Sequence, residues 1–240
     1  MRPSVIKLTQ RGATITIKFL HFDQNMTQTL QIYLDECQRI MTHADEPLSP
    51  KMRPLGKASW PAVLQSPCLP REALIALKRS NTPMQRPPVG VIGPREATQQ
   101  QLEIAYALGA GLAELGIPLL CGGRGGVMEA ASKGAALKGG EVIGLLPDTS
   151  AEAANPWVTL PIASGLGEAR NVLIARASVL LIAVGGSLGT HTEVAFGRHF
   201  NKPVLTFPDA PNAEGTTPIC SVEEALALTA AHLWGVTQPS

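Results

Sequence analysis

The sequence is poor in aromatic residues, in net charge and in cysteine. Phe, Trp and Tyr make up 4% of the 240 residues, and the formal net charge is +1. A charge this close to zero gives no electrostatic basis for binding nucleic acid or a membrane surface, so neither is expected as a partner. The four cysteines lie far apart without a Cys-x-x-Cys pair, which is typical of reduced thiols in a cytoplasmic protein.

Long apolar runs and metal-ligand spacings are also missing. No apolar run approaches the ~20 residues that a membrane-spanning helix needs, and the N-terminal residues lack the unbroken apolar stretch of a signal peptide. The five histidines show no metal-ligand spacing, so no metal site is expected. What the chain does have is a 45% apolar share, mostly aliphatic, which suits the core of an α/β protein.

The composition changes near residue 88. Prolines are frequent over 46–88, and we interpret residues 1–87 as an accessory arm with a proline-rich linker. Met84 leaves open the alternative that the natural start lies there. Within the arm, alternation predicts a strand at 15–19, and helices are expected at 27–41 and 71–79.

Residues 88–240 show the alternation of a layered α/β domain. Strands are expected at 89–92, 117–121, 141–146, 157–161, 179–184 and 204–207, and helices at 97–115, 127–137, 168–177, 190–200 and 222–233. This order predicts a Rossmann-like open parallel sheet with helices on both faces. Ligands of such sheets bind beyond the carboxyl ends of the strands.

The most informative stretch is 179–193, in which an apolar run ends in a glycine-rich loop that opens a helix. Gly185, Gly186 and Gly189 allow a sharp turn and close approach to a ligand. Free amides at the helix start favour an anion, most often a phosphate. Glu193 adds a carboxylate one turn into that helix. An alternative reading is structural, because Thr190-x-x-Glu193 also has the spacing of a capping box.

A second glycine-rich loop follows the strand predicted at 117–121. It reads Gly122-Gly123-Arg124-Gly125-Gly126. Since both loops follow strands of one parallel sheet, we expect them at the same edge. The turn after the first strand, with Gly90 and Gly93, and the 122–126 loop both miss the dinucleotide fingerprint Gly-x-Gly-x-x-Gly, and the chain has no Gly-Lys-Ser/Thr of a P-loop, so hydride transfer and ATP hydrolysis are not expected.

Three ordered motifs resemble those of the Lonely-Guy (LOG) superfamily, formerly mislabelled as lysine decarboxylases. They are Gly122-Gly123-Arg124-Gly125-Gly126-Val127-Met128-Glu129-Ala130-Ala131, then Glu168-Ala169-Arg170-Asn171, then Gly185-Gly186-Ser187-Leu188-Gly189-Thr190-x-x-Glu193. The resemblance covers about 88–235. The superfamily includes cytokinin nucleoside-monophosphate phosphoribohydrolases and, in a nearby branch, molybdenum-cofactor carrier proteins. Its DNA-binding relatives, which share the fold of DNA-processing protein A, are disfavoured by the neutral charge.

The chain departs from the hydrolase pattern at three positions. Gly185 stands where the hydrolases have Pro, Ser187 where they have the second Gly, and Asn171 where they pair Lys with the preceding Arg. The Gly-Gly-Arg-Gly-Gly-Val-Met loop and the Ala-Arg-Asn triplet look more like the carrier-related branch. The resemblance therefore leaves two functions open.

One function implied by the resemblance is hydrolysis of the N-glycosidic bond of a nucleoside 5′-monophosphate, with Glu193 and Arg170 as catalytic residues. The other is that of a carrier or sensor without catalysis, with molybdenum cofactor as a cargo ligand and no cofactor required. Both involve a phosphorylated, nucleotide-like ligand and a homo-oligomer, commonly a dimer. The residues expected to bind the ligand are Gly122, Gly123, Arg124, Gly125, Gly126, Asn171, Gly185, Gly186, Ser187, Gly189 and Thr190.

Overall fold

Contacts within the chain divide it into two units. One combines Met1–Gln85 with Ala227–Ser240, and the other is Arg86–Leu226. The structure, a computed structural model, describes residues 6–11, 14–19, 31–34, 40–42, 47–56, 58 and 60–236. Among these residues, no helix is long and apolar enough to span a membrane.

In the part of the chain that the structure describes, the first unit contains short antiparallel strand pairs, a 3-10 turn at Ala62–Gln65, one complete helix and the second half of the last helix, Val222–Leu233. Strand β1 (Ile6–Arg11) pairs with β2 (Thr14–Phe19), β3 (Ile32–Leu34) with β4 (Ile40–Thr42), and β5 (Arg53–Pro54) with β6 (Met84–Gln85), while α1 spans Pro70–Arg79. The strand predicted at 15–19 and the helix predicted at 71–79 are confirmed.

The helix predicted at 27–41 is wrong. Within that range the described residues form β3 and the start of β4, and the remaining positions lie outside the described residues. Ile32 also exchanges both backbone hydrogen bonds with Cys68, at 2.8 and 3.0 Å. Pairing of β3 with β4 and the bridge from Ile32 to Cys68 outweigh the local helical preference of this segment.

Trp234 supplies the largest buried side chain of the first unit. Its indole packs on that of Trp60, with ring centroids 5.5 Å apart, and its Nε1 donates to the carbonyl of Pro70 at 2.9 Å. The proline-rich segment contributes further buried side chains, among them Leu64 and Leu74. The end of the chain and residues 60–79 therefore share one core.

Seven parallel strands form the sheet of the second unit. They are β7 (Val89–Ile92), β8 (Leu119–Cys121), β9 (Val142–Leu146), β10 (Leu160–Ala163), β11 (Leu180–Ala183), β12 (Val204–Thr206) and β13 (Thr217–Pro218), in the spatial order β10-β9-β8-β7-β11-β12-β13. The predicted Rossmann-like architecture is confirmed. Strand β10 lies three residues later than its predicted start, and the two-residue β13 was not predicted.

The remaining helices are α2 (Gln99–Glu114), α3 (Val127–Leu137), α4 (Asn171–Ala177), α5 (Leu188–His199) and α6 (Val222–Leu233). The helix predicted at 168–177 begins as a 3-10 turn, Gly167–Arg170, which leads directly into α4. Helices α2 and α3 pack closely, because Gly109 and Gly134 each lie against a backbone carbonyl of the other helix.

The strand order reverses between β7 and β11. The chain leaves β7 for β8 on one side, while β11 pairs with β7 on the other side. The loops that follow these two strands therefore diverge and leave a crevice between them. Open α/β sheets bind ligands at such a switch point.

Candidate ligand-binding site

A cleft of about 730 Å³ opens where the loops after β7 and β11 diverge. It is bounded by the loop after β7, by the junction of the 3-10 turn with α4, and by the first two turns of α5. The lining residues are Gly93, Pro94, Arg95, Glu96, Met128, Glu168, Arg170, Asn171, Gly186, Ser187, Leu188, Gly189, Thr190, Thr192, Glu193 and Phe196.

The start of α5 presents free backbone donors to this cleft. Ser187 is the N-cap, with an extended backbone and an Oγ that accepts from the Thr190 amide at 3.2 Å. The amides of Leu188 and Gly189 belong to the first turn, where no intrahelical acceptor is available. Because both residues line the cleft, the positive end of the helix dipole faces it.

The capping box considered for Thr190 and Glu193 is wrong. The helix begins at Leu188, two residues before Thr190, and Ser187 provides the cap. The Thr190 hydroxyl lies 3.0 Å from the Ser187 Oγ and reinforces that cap. Glu193 is therefore in the second turn, where its carboxyl has no capping role.

Glu193 is a buried acid on the floor of the cleft. Glu193 is 7% exposed, and this burial raises the pKa of its carboxyl to about 8. The positive charge of Arg170 opposes the rise in pKa, and the negative charge of Glu168 adds to it. Most of the carboxyl is therefore protonated at neutral pH. A protonated carboxyl can donate a hydrogen bond and does not repel an anion.

Arg170 is a buried cation that lines the same cleft. Its guanidinium lies against Gly122, where any Cβ would collide with both terminal nitrogens, and one of these nitrogens donates to the carbonyl of Leu145. Its Nε is buried with no partner in the part of the chain that the structure describes. Burial lowers the pKa of the guanidinium, and the nearby Glu193 carboxyl acts against that shift.

Asn171 connects α4 to the first turn of α5. Its Nδ2 donates to the Thr192 Oγ1 at 3.0 Å, and that hydroxyl donates in turn to the Gly189 carbonyl at 2.7 Å. The chain of hydrogen bonds orients the helix start relative to Arg170, the residue before Asn171. The predicted residues that the cleft brings together are Arg170, Asn171, Gly186, Ser187, Gly189, Thr190 and Glu193.

The structure places the other predicted residues outside the cleft lining: Gly122, Gly123, Arg124, Gly125, Gly126 and Gly185. Gly123 and Gly126 both have φ of +69°, a region that favours glycine. Arg124 forms an ion pair with Asp148, and its carbonyl accepts from Asn155 Nδ2 at 3.0 Å. These contacts join the loop after β8 to the loop after β9.

Several lining residues were not predicted. Arg95 and Glu168 face each other at 4.0 Å with mostly exposed side chains. The Gly93-Pro94-Arg95 run directly after β7 was a usable signal, but only the strand order shows that this loop borders the crevice. Phe196 follows Gly189 by seven residues, a spacing that returns to the same helix face.

Comparisons with known proteins agree with this fold. Residues 86–230 match the model of the SLOG cluster4 family. An uncharacterized protein from Archaeoglobus fulgidus is 41% identical over 138 residues, which make up 58% of this chain and 91% of that protein.

Two solved structures are similar over nearly their whole length. The molybdenum cofactor binding protein of Rippkaea orientalis is 34% identical with a TM-score of 0.59. The molybdenum cofactor carrier protein of Chlamydomonas reinhardtii is 37% identical with a TM-score of 0.57. Each alignment covers 62% of this chain and 98% of the other.

Proposed function

Because the chain belongs to the SLOG cluster4 family, we propose that its cleft binds a phosphorylated, nucleotide-like ligand. The observation that carries the proposal is the open start of α5 at the switch point, beside the buried Arg170. The amides of Leu188 and Gly189 hold the phosphate. Arg170, which lines the same cleft, supplies positive charge, and its Nε, which has no partner among the residues that the structure describes, leaves a donor available if the side chain shifts.

The ligand is carried rather than cleaved, and the pterin phosphate of molybdenum cofactor is the leading cargo. The similarity to two proteins that are named for binding or carrying this cofactor supports the choice. The buried Glu193 is compatible with a bound phosphate, because a carboxyl whose pKa is raised to about 8 does not repel the anion as a carboxylate would.

A second candidate is hydrolysis of a nucleoside 5′-monophosphate, which is favoured by the presence of Arg170, Thr190 and Glu193 in one cleft. Loss of the base develops positive charge on the ribose, which an ionised carboxylate would stabilise. Burial raises the pKa of Glu193 to about 8, which disfavours the ionised form at neutral pH. Stabilisation of the ribose by an ionised Glu193 would therefore depend on the less populated form of the free protein.

One set of samples tests both candidates. The purified protein is titrated calorimetrically with a panel of nucleoside 5′-monophosphates, and each sample is then analysed for free base by chromatography. We expect binding without release of base. Protein produced in cells that make molybdenum cofactor should also contain molybdenum and a pterin, and Arg170→Ala should contain neither.

The outcomes separate the alternatives. If the wild type releases base and Glu193→Gln does not, the hydrolase becomes the proposed function in place of the carrier. Binding of the nucleosides as tightly as their monophosphates would refute the phosphate site. Failure to bind any phosphate ester, with no molybdenum in the purified protein, would refute the proposal as a whole.

A further inference from the structure

The cleft wall formed by α5 continues beyond the phosphate site to an aromatic ring. Phe196 lines the cleft and is 36% exposed, which is unusual for a phenylalanine in a chain with so few aromatic residues. It lies two turns after Gly189 on the same helix face, a rise of ~10 Å. Because helical side chains lean toward the N-terminus, the ring covers the turn that contains Thr192 and Glu193.

The Phe196 ring is held by a stack of neighbours. Its ring and that of Phe200 are nearly parallel, with centroids 6.0 Å apart and an angle of 13°. Arg176 lies on α4, and its guanidinium is 3.5 Å from the centroid of the Phe200 ring. The His199 ring meets the Phe200 ring edge-on, with the two centroids 5.2 Å apart. These contacts fix Phe200, which in turn supports Phe196 and leaves part of its ring open to the cleft.

We propose that Phe196 is the stacking platform for a planar heterocycle of the ligand. The cleft then selects phosphate esters that carry an aromatic ring over phosphorylated sugars alone. The proposal rests on the proposed function, because the phosphate at the start of α5 fixes which end of the ligand reaches Phe196. Stacking tolerates different rings, since each aromatic base presents a π-face, so it suits purines, pyrimidines and pterins alike.

The spacing agrees with this assignment. Two helical turns separate the Gly189 amide from the Phe196 backbone, and the lean of the side chain shortens the distance from the amide to the ring. A phosphate joined to a ring system through a sugar or a similar linker can span that gap. Glu193 lies between the two ends, where its protonated carboxyl can donate to the linker.

The test compares ligands with and without the ring. Calorimetry measures the affinity of the wild type for the four common nucleoside 5′-monophosphates and for ribose 5-phosphate. Phe196→Ala and Phe196→Leu are then measured with the same ligands, the second variant retaining apolar surface but no π-face. Phe196→Trp serves as the rescue. Leu173→Ala on α4, at a position that is 38% exposed and outside the cleft lining, is the matched control.

We expect the wild type to bind the nucleotides more tightly than ribose 5-phosphate. Phe196→Ala and Phe196→Leu should weaken nucleotide binding about 5- to 100-fold, the range for loss of one base–aromatic stack, and should leave ribose 5-phosphate unchanged. Phe196→Trp should retain nucleotide affinity, and Leu173→Ala should change nothing.

Two results would overturn the stacking platform. One is equal wild-type affinity for nucleotides and ribose 5-phosphate, and the other is an equal loss of both ligands in the Phe196 variants. If the wild type binds neither class, the phosphate site itself has failed, and the ribose 5-phosphate titration identifies that case. The two failures are therefore distinguishable in a single experiment.

Discussion

Replacing Glu193 by Gln should stabilise the ligand-free protein in alkaline solution. Burial raises the pKa of this carboxyl from the ordinary value of 4.5 to about 8. The native protein therefore holds a proton that the unfolded chain releases between these two pH values. The free energy of unfolding consequently falls as pH rises through this interval, by up to about 1.4 kcal/mol for each pH unit.

The size of the effect follows from the two pKa values. Below pH 4.5 the carboxyl is protonated in both the native and the unfolded state, so it contributes no pH dependence to the free energy of unfolding. Above pH 8 it is ionised in both states, and the decrease in the free energy of unfolding is complete. The whole interval corresponds to a loss on the order of 5 kcal/mol for this one group. Gln has nearly the same shape and does not titrate, so the variant lacks this decline.

The assay is urea unfolding followed by circular dichroism at several pH values from 5 to 9. The difference between the free energies of unfolding of Glu193→Gln and the wild type should grow with pH up to about pH 8 and then level off. Glu103→Gln, an exposed glutamate of α2, controls for the loss of a charge. Wild-type and Glu193→Gln curves that run parallel from pH 5 to 9 would refute the argument that the native carboxyl is desolvated.

Three further substitutions test other contacts. In Gly122→Ala the new Cβ collides with the Arg170 guanidinium. The variant should lose about 1–3 kcal/mol of stability and bind phosphate at least tenfold more weakly by calorimetry. Unchanged binding would contradict the role of Arg170. Arg95→Ala removes an exposed cation at the cleft; it should weaken phosphate binding by no more than about fivefold, and the difference should shrink at high salt. Trp234→Ala empties the core of the first unit; it should cost about 3–5 kcal/mol in urea unfolding, and a loss below 1 kcal/mol would contradict the described packing.

The sequence was sufficient to predict the parallel sheet and the loop that opens α5. The central strands β7, β8, β9, β11 and β12 are short apolar runs with glycine or proline near their ends, so their local pattern agrees with their burial; the edge strand β10 is apolar but exposed. Strand β3 has three residues, which is too short for a period-2 pattern of its own; it is held by pairing with β4 and by the bridge between Ile32 and the distant Cys68. Strand β13 has two residues and no pattern of its own.

The candidate site could be predicted only in part. The chemistry of Arg170, Thr190 and Glu193 followed from a resemblance and from the glycine loop. The position of Arg95 depends on which strand neighbours β7, which no local pattern encodes. The glycines of 122–126 have the composition of a ligand cradle, but the structure uses Gly122 to make room for a guanidinium and Gly123 and Gly126 for unusual backbone angles.

The pairing of β7 with β11 also sets the order in which the protein can become functional. Val89 is matched with Leu180, so the loop after β7 and the start of α5, two of the three boundaries of the cleft, come from parts of the chain that are synthesised far apart in time. Such non-local pairing is slow to form, because a long loop must close first. A nascent chain that ends before β11 lacks the boundary that the start of α5 provides. The ligand can therefore act on folding only after this pairing, where it stabilises the finished domain by mass action and does not guide its assembly.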